Sequence, residues 1–124
     1  MKAKRRLGRE LIGEAVVLGG LIASIVGLWR NNALLLCLVL GESALALLLW
    51  HGRDDVALFA VSGLLGPLAE VVFVRAGVWS YANPGLLGVP IWFPPAFATA
   101  ALCGQQLART ITALRMNILS RATG

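Results

Sequence analysis

The sequence predicts an all-α, four-transmembrane-helix bundle with both termini cytoplasmic and a proline- and aromatic-rich outer loop between helices 3 and 4. Three observations lead there. The chain of 124 residues is 58% hydrophobic and only 14% charged, with a mean hydropathy of +0.79. Soluble domains are nearer half apolar and a quarter charged, and one of this length could not cover so much apolar surface. The apolar residues gather in four runs of 18 or 19 residues, at 11–29, 33–50, 56–74 and 89–107. A helix rises about 1.5 Å per residue, so each run can cross a hydrocarbon core about 30 Å thick. The basic residues, finally, cluster at positions that alternate with the runs in the way membrane topology requires.

Ahead of the first run stand Lys2, Lys4, Arg5, Arg6 and Arg9. A basic tail beside an apolar run is a topology signal, and no aromatic–basic interleaving accompanies it, so the net charge of +5 does not indicate a nucleic-acid partner. No A-x-A site follows the first run, and "LWRNN" leads directly into the second, so the first run reads as a retained anchor and not a cleaved signal peptide. The connectors "RNN" and "HGRDD" are short enough to make antiparallel neighbours. With the N-terminus cytoplasmic, nine Lys and Arg residues lie inside, against Arg30 and Arg75 outside. That count places both ends in the cytoplasm of a bacterial-type inner membrane. After the fourth run, "ARTITALRMNILSRATG" carries Ile111, Leu114, Ile118 and Leu119 punctuated by Arg109, Arg115 and Arg121. Residues 108–121 read as an amphipathic tail or as the helix continuing into the interface. The whole chain, 1–124, is one integral membrane domain.

Catalytic and metal signatures are absent from the sequence. Cys37 and Cys103 lie inside spans at different depths and read as apolar fillers, not as a disulfide. His51 stands alone at the end of the second run, so no metal-ligand spacing exists. No phosphate loop or Ser/His/Asp pattern appears, and no cofactor is implied.

Three carboxylates inside the apolar runs carry more information, because ionisable groups in a membrane face the bundle interior or water. Glu14, one turn into the first run, reads as an interfacial side chain that snorkels outward or pairs with Arg6 or Arg9. Glu42 lies nine residues past Ala33, so about 13 Å deep. Glu70 lies five residues before Arg75, so about 7 Å below the outer boundary. Glu42 and Glu70 could share one outward-facing pocket; the alternative for each is a helix-packing hydrogen bond, and for Glu70 an ion pair with Arg75. Gly63, Gly66, Pro67 and Glu70 share one helix face, where Pro67 frees a carbonyl and bends the helix, opening space beside the carboxyl. Ala96, Ala100, Gly104 and Ala108 on the fourth span and Gly20, Ser24 and Gly27 on the first form small-residue faces suited to helix packing and to a homo-oligomer.

The connector "RAGVWSYANPGLLGVPIWFPP" is the most specific stretch. Trp79, Tyr81 and Trp92 fall at the outer interface, where amphipathic rings prefer to sit. Pro84, Pro90, Pro94 and Pro95 make the segment rigid and non-repetitive. Backbone this apolar and non-helical is tolerated where it folds back on protein, so the segment reads as a re-entrant lid over Glu70. The candidate ligand-binding set is Glu42, Glu70, Trp79, Tyr81, Pro84, Pro90 and Trp92, and the catalytic candidates are Glu70 and Tyr81.

Over residues 50–108 the order Glu70, Trp79-x-Tyr81-x-x-Pro84, Gly88-x-Pro90-x-Trp92-x-Pro94 resembles the carotenoid biosynthesis (bisanhydrobacterioruberin hydratase-like) family of bacterial membrane proteins. "GVWSYANP" and "GQQLA" at 104–108 also resemble Insig-type sterol-sensing proteins. Both resemblances imply a lipid or isoprenoid partner. The membrane lycopene cyclases are similar in pattern, but their P-x-E-x-x-x-F element is missing after Pro90. Three functions follow. The first is a membrane protein binding a lipid or isoprenoid-like apolar ligand between the third and fourth spans. The second is a small carotenoid- or isoprenoid-modifying enzyme with Glu70 as general acid or base and Tyr81 assisting, since acid–base work on an alkene uses a carboxyl tuned by burial. The third is a proton-coupled exporter, because four spans, this length and Glu14 resemble small multidrug-resistance transporters.

Overall fold

The computed structural model describes residues 2–124 and is all-helical among them. Helix α1 spans Lys2–Leu28, α2 Asn32–Leu49, α3 Arg53–Arg75 and α4 Phe93–Ala122, with a single 3-10 turn at Leu86–Gly88 in the last connector. All four helices are long and apolar enough to cross a membrane.

The helices extend further than the apolar runs at one end of the molecule. Nothing between Lys2 and Leu11 breaks a helix, so the basic residues simply continue α1. Likewise the segment expected as an amphipathic tail, 108–121, is the unbroken continuation of α4. At its other end α4 is shorter than the run predicted. It starts at Phe93 and not at residue 89, because Pro94 and Pro95 fit only in the first turn and Pro90 holds Val89 before it extended.

Buried positions recur at helical spacing. Leu7, Glu14, Val17 and Leu21 form one face of α1, and Leu35, Val39, Ser43 and Ala46 one face of α2. On α4 the buried face runs from Ala96 through Thr99, Leu102, Cys103 and Gln106 to Thr110. This long face makes α4 the hub: α1, α2 and α3 all pack against it, while α1 also packs against α2. Towards the loop end, Leu21, Leu35, Val39, Trp92 and Ala96 form a core; a second core of Val17, Ala46 and Leu102 lies nearer the termini. Helix α3 packs against α4 and presents its remaining faces outward. Asp55 is its one buried residue, and Val61, Leu64, Leu65, Leu68 and Val72 are all exposed, as suits a lipid-facing helix.

Two glycines shape the connector. Gly77, at φ +74°, ends α3 in a Schellman motif: Val78 N–H donates to Phe73 O at 3.0 Å and Gly77 N–H to Val74 O at 3.1 Å. Gly88, at φ +84°, comes so close to Val74 that a Cβ there would lie 2.8 Å from its Cγ1. The intervening Leu87 adopts φ 55°, a costly conformation for a branched side chain, and with Leu86 it is left exposed at the loop tip.

The space expected beside Pro67 is not open. Pro67 lies within a continuous α3, and the ring of Phe97 from α4 covers Gly66. A Cβ on Gly66 would collide with that ring, and one on Gly63 would lie 3.1 Å from Ala98 Cβ. Gly66→Ala should therefore lower thermal stability, by about 1–3 kcal/mol, because α4 must move or Phe97 must leave its rotamer. Gly104→Ala, where a Cβ would meet nothing within 4 Å, should be neutral or slightly stabilising. Unfolding curves of the two variants in one detergent check the contrast.

Candidate functional site

Glu70 stands near the end of α3, one and a half turns before Arg75, and the connector folds back over it. Its Oε2 accepts two hydrogen bonds from that connector: the Trp79 indole N–H donates at 3.0 Å and the Tyr81 hydroxyl at 2.6 Å. Its Oε1 accepts none from the described residues. Aromatic rings surround the pair. Trp79 packs on Phe73 with centroids 5.1 Å apart, Tyr81 meets Phe93 edge-on at 6.1 Å, and Phe93 stacks on Phe97 at 5.6 Å. Glu70 and Tyr81 are half-buried and Trp79 exposed. Arg75, the competing partner, makes no ion pair with Glu70 among the described residues.

The remaining candidates go elsewhere. Glu42 turns towards α1, where Ser24 Oγ donates to its Oε1 at 2.8 Å, and its Oε2 is buried without a partner. It therefore does not join Glu70, which turns to the connector. Ser24, expected as part of a packing stripe, is there as a hydrogen-bond donor. Pro84 is exposed and Pro90 buried. Trp92, expected as an interfacial ring, is 8% exposed and belongs to the core, with its indole N–H donating to Asn32 Oδ1 at 3.0 Å. The reason is position: the proline-rich approach to α4 sets residue 92 on the inward face, one turn before Ala96.

The connector is fastened to the α1–α2 turn. Asn83 Nδ2 donates to the carbonyls of Trp29 and Arg30, each at 3.1 Å, and Asn32 Nδ2 donates to Asn83 O at 3.2 Å. Asn32 thus joins the connector to Trp92 as well. The segment is a strap tied across the loop end of the bundle, and the tie places Tyr81 and Trp79 at Glu70.

Several polar residues went unnoticed in the sequence. Ser43 and Thr99 share a hydrogen bond of 2.8 Å between α2 and α4. Asp55 receives Gln106 Nε2 and Arg109 NH1, both at 2.8 Å. Glu14 is 3% exposed and takes Thr110 Oγ1 at 2.6 Å; its expected partner Arg6 pairs instead with Glu10 at 3.0 Å. Glu14 departs from the snorkelling expectation because its position belongs to the buried face of α1, with Leu7, Val17 and Leu21. The rule applied to the glutamates, that a polar group in an apolar run must find a partner, would have singled out Ser43, Thr99 and Gln106 too, whereas Thr110 lies beyond the fourth run.

No protein-family model, curated protein or solved structure matches this chain. The chemistry of the cluster is read from its own geometry.

Burial, the hydrogen bond to Glu70 and the Glu70 charge hold the Tyr81 phenol well above its usual value of 10.0. Because Tyr81 is the single tyrosine, phenolate absorbance reports on it alone. A raised folded value favours the protonated phenol. Its contribution to stability is complete below about pH 10 and is lost as pH rises through the folded value. Phenolate should appear only at pH values above those of a free tyrosine, and Glu70→Gln should move the titration back towards them. An unchanged midpoint in that variant would disprove the Tyr81–Glu70 contact.

Proposed function

We propose that the chain is a multi-pass protein of a bacterial-type inner membrane, with both termini cytoplasmic, that binds a lipid or isoprenoid-like amphiphile at the Glu70 cluster. The observation that carries this reading is the convergence of Trp79 and Tyr81 on one oxygen of Glu70, with the other oxygen left without a protein donor. Apolar sites with a few placed polar groups bind by contact and orient by hydrogen bonding. Here the rings of Phe73, Trp79, Tyr81 and Phe93 supply contact, and Glu70 Oε1 is an acceptor for one hydroxyl or similar donor of the ligand. The exposure of α3 supports the reading, since a ligand can reach Glu70 laterally from the lipid.

The hydroxyl of Tyr81 at 2.6 Å from Glu70 also favours a second reading, a small isoprenoid-modifying enzyme. There Glu70 would act as general acid or base on an alkene, with Tyr81 holding the second carboxyl oxygen and restricting its rotation.

Lipid mass spectrometry on gently purified protein separates these readings from an empty site. A polyprenoid or carotenoid should co-purify with the parent. Glu70→Gln should retain about three- to tenfold less, the worth of one hydrogen bond. A parent that carries no such molecule would overturn the proposal, and a bound molecule chemically altered only by the parent would select the enzyme.

The orientation rests on the nine-to-two distribution of basic residues. Reporter fusions after Asn32 and Gly85 should read as extracytoplasmic, and those after Asp55 and Gly124 as cytoplasmic. An extracytoplasmic C-terminus would invert the bundle.

A further inference from the structure

At the end of the molecule opposite the Glu70 cluster, α1 and α4 run on past the short α2–α3 turn. Between them opens a cleft of about 820 Å³. Its walls include Arg6, Arg9 and Glu14 from α1, Trp50 at the end of α2, and Arg109 and Thr110 from α4. Two of the three arginines are already paired: Arg6 with Glu10 at 3.0 Å and Arg109 with Asp55 at 2.8 Å. Arg9 is exposed and has no ion-pair partner among the described residues. Glu14 is the most buried of the charged groups in the cleft. Thr110 satisfies its Oε1, but its Oε2 is buried and has no donor among the described residues. A buried acceptor without a donor is uncommon in a folded protein and calls for an explanation. Among the described residues, the cleft therefore combines one unpaired arginine at its rim with one incompletely satisfied carboxyl in its wall.

The surface of α1 next to Arg9 is apolar. Ile12 and Val16 follow it at i+3 and i+7 on the same side of α1, and they are 65% and 60% exposed. This apolar track leads from the arginine along α1, a helix long and apolar enough to cross a membrane.

We propose that the cleft binds the headgroup of a phospholipid bearing a primary ammonium, of which phosphoethanolamine is the simplest. Arg9 takes the phosphodiester, with Arg6 and Arg109 beside it. The ammonium donates to Glu14, and an acyl chain lies along Ile12 and Val16. A guanidinium is suited to phosphate oxygens, and N–H donors on a carboxylate make strong hydrogen bonds. The mixed charge of the cleft selects against the alternatives. An anionic headgroup without an ammonium brings no cation to Glu14, a choline has no N–H to donate, and a soluble phosphate makes no use of the apolar track. The inference rests on the membrane placement given under the proposed function and is independent of the ligand at Glu70.

Native mass spectrometry of the delipidated full chain, titrated with dioleoyl phosphatidylethanolamine, phosphatidylglycerol or phosphatidylcholine, tests it. Phosphatidylethanolamine should be retained about tenfold more tightly than phosphatidylcholine, the effect of one charge-assisted hydrogen bond. Glu14→Gln should abolish that preference while keeping the Thr110 contact. Arg9→Ala, at an exposed position, should weaken all three lipids. Gly104→Ala, outside the cleft and with open space for its methyl, should leave all three unchanged, while the polyprenoid co-purification test reads the Glu70 site separately. Equal retention of ethanolamine and choline lipids by the parent, tightest binding of phosphatidylglycerol, or an unaltered Arg9→Ala would each overturn the proposal. So would displacement of the lipid by soluble phosphoethanolamine at equal concentration, which would assign the cleft to a soluble ligand.

Discussion

On a helix long and apolar enough to cross a membrane a polar side chain needs a protein partner, and α4 shows how this chain meets that constraint. Thr99 meets Ser43 of α2, Gln106 and Arg109 meet Asp55 of α3, and Thr110 meets Glu14 of α1. These polar positions on the central helix therefore address all three of its neighbours. Apolar packing between helices gains little from a hydrophobic effect when lipid is the alternative, so such hydrogen bonds and close contacts decide which faces meet. The individual bonds are modest, but a shift of α4 by one residue would break them together.

The arrangement leaves α3 the most exposed of the four helices. It is held at one end by Asp55, along its middle by the contact of Gly63 and Gly66 with α4, and at the other end by the connector that folds onto Glu70. The rest of its surface faces outward. Asn83 and Asn32 tie the connector to the far side of the bundle, so the ring cluster at Glu70 is positioned by residues from the α1–α2 turn that never touch it. The two ends differ in chemistry as a result. The loop end gathers aromatic rings around one carboxyl, while the terminal end gathers arginines and carboxylates around a cleft.

How much of this was legible in the sequence depends on whether the signal was local. Four apolar runs, short connectors and an uneven distribution of basic residues are local patterns, and the four helices follow from them. So does the failure of residues 89–92 to join α4, which Pro90, Pro94 and Pro95 announce. The pairing of Glu70 with Trp79 and Tyr81 lay within reach because all three stand in one short segment. The strap was half legible: its prolines declared a fixed shape, but its attachment uses Asn32, some fifty residues earlier and read only as part of a turn.

The sequence by itself determined that the chain is helical, where its helices run, and that carboxylates would lie within them, because helix length and apolarity are properties of contiguous residues. Only the tertiary structure decided where each carboxylate turns. Glu14, Glu42 and Glu70 look alike in their apolar runs, yet one meets Thr110, one Ser24 and one the connector. The same holds for Trp92, which belongs to the core and not the interface. Those outcomes depend on the rotation of each helix about its own axis and on which neighbour lies opposite, and neither is specified until α4 packs against the other three.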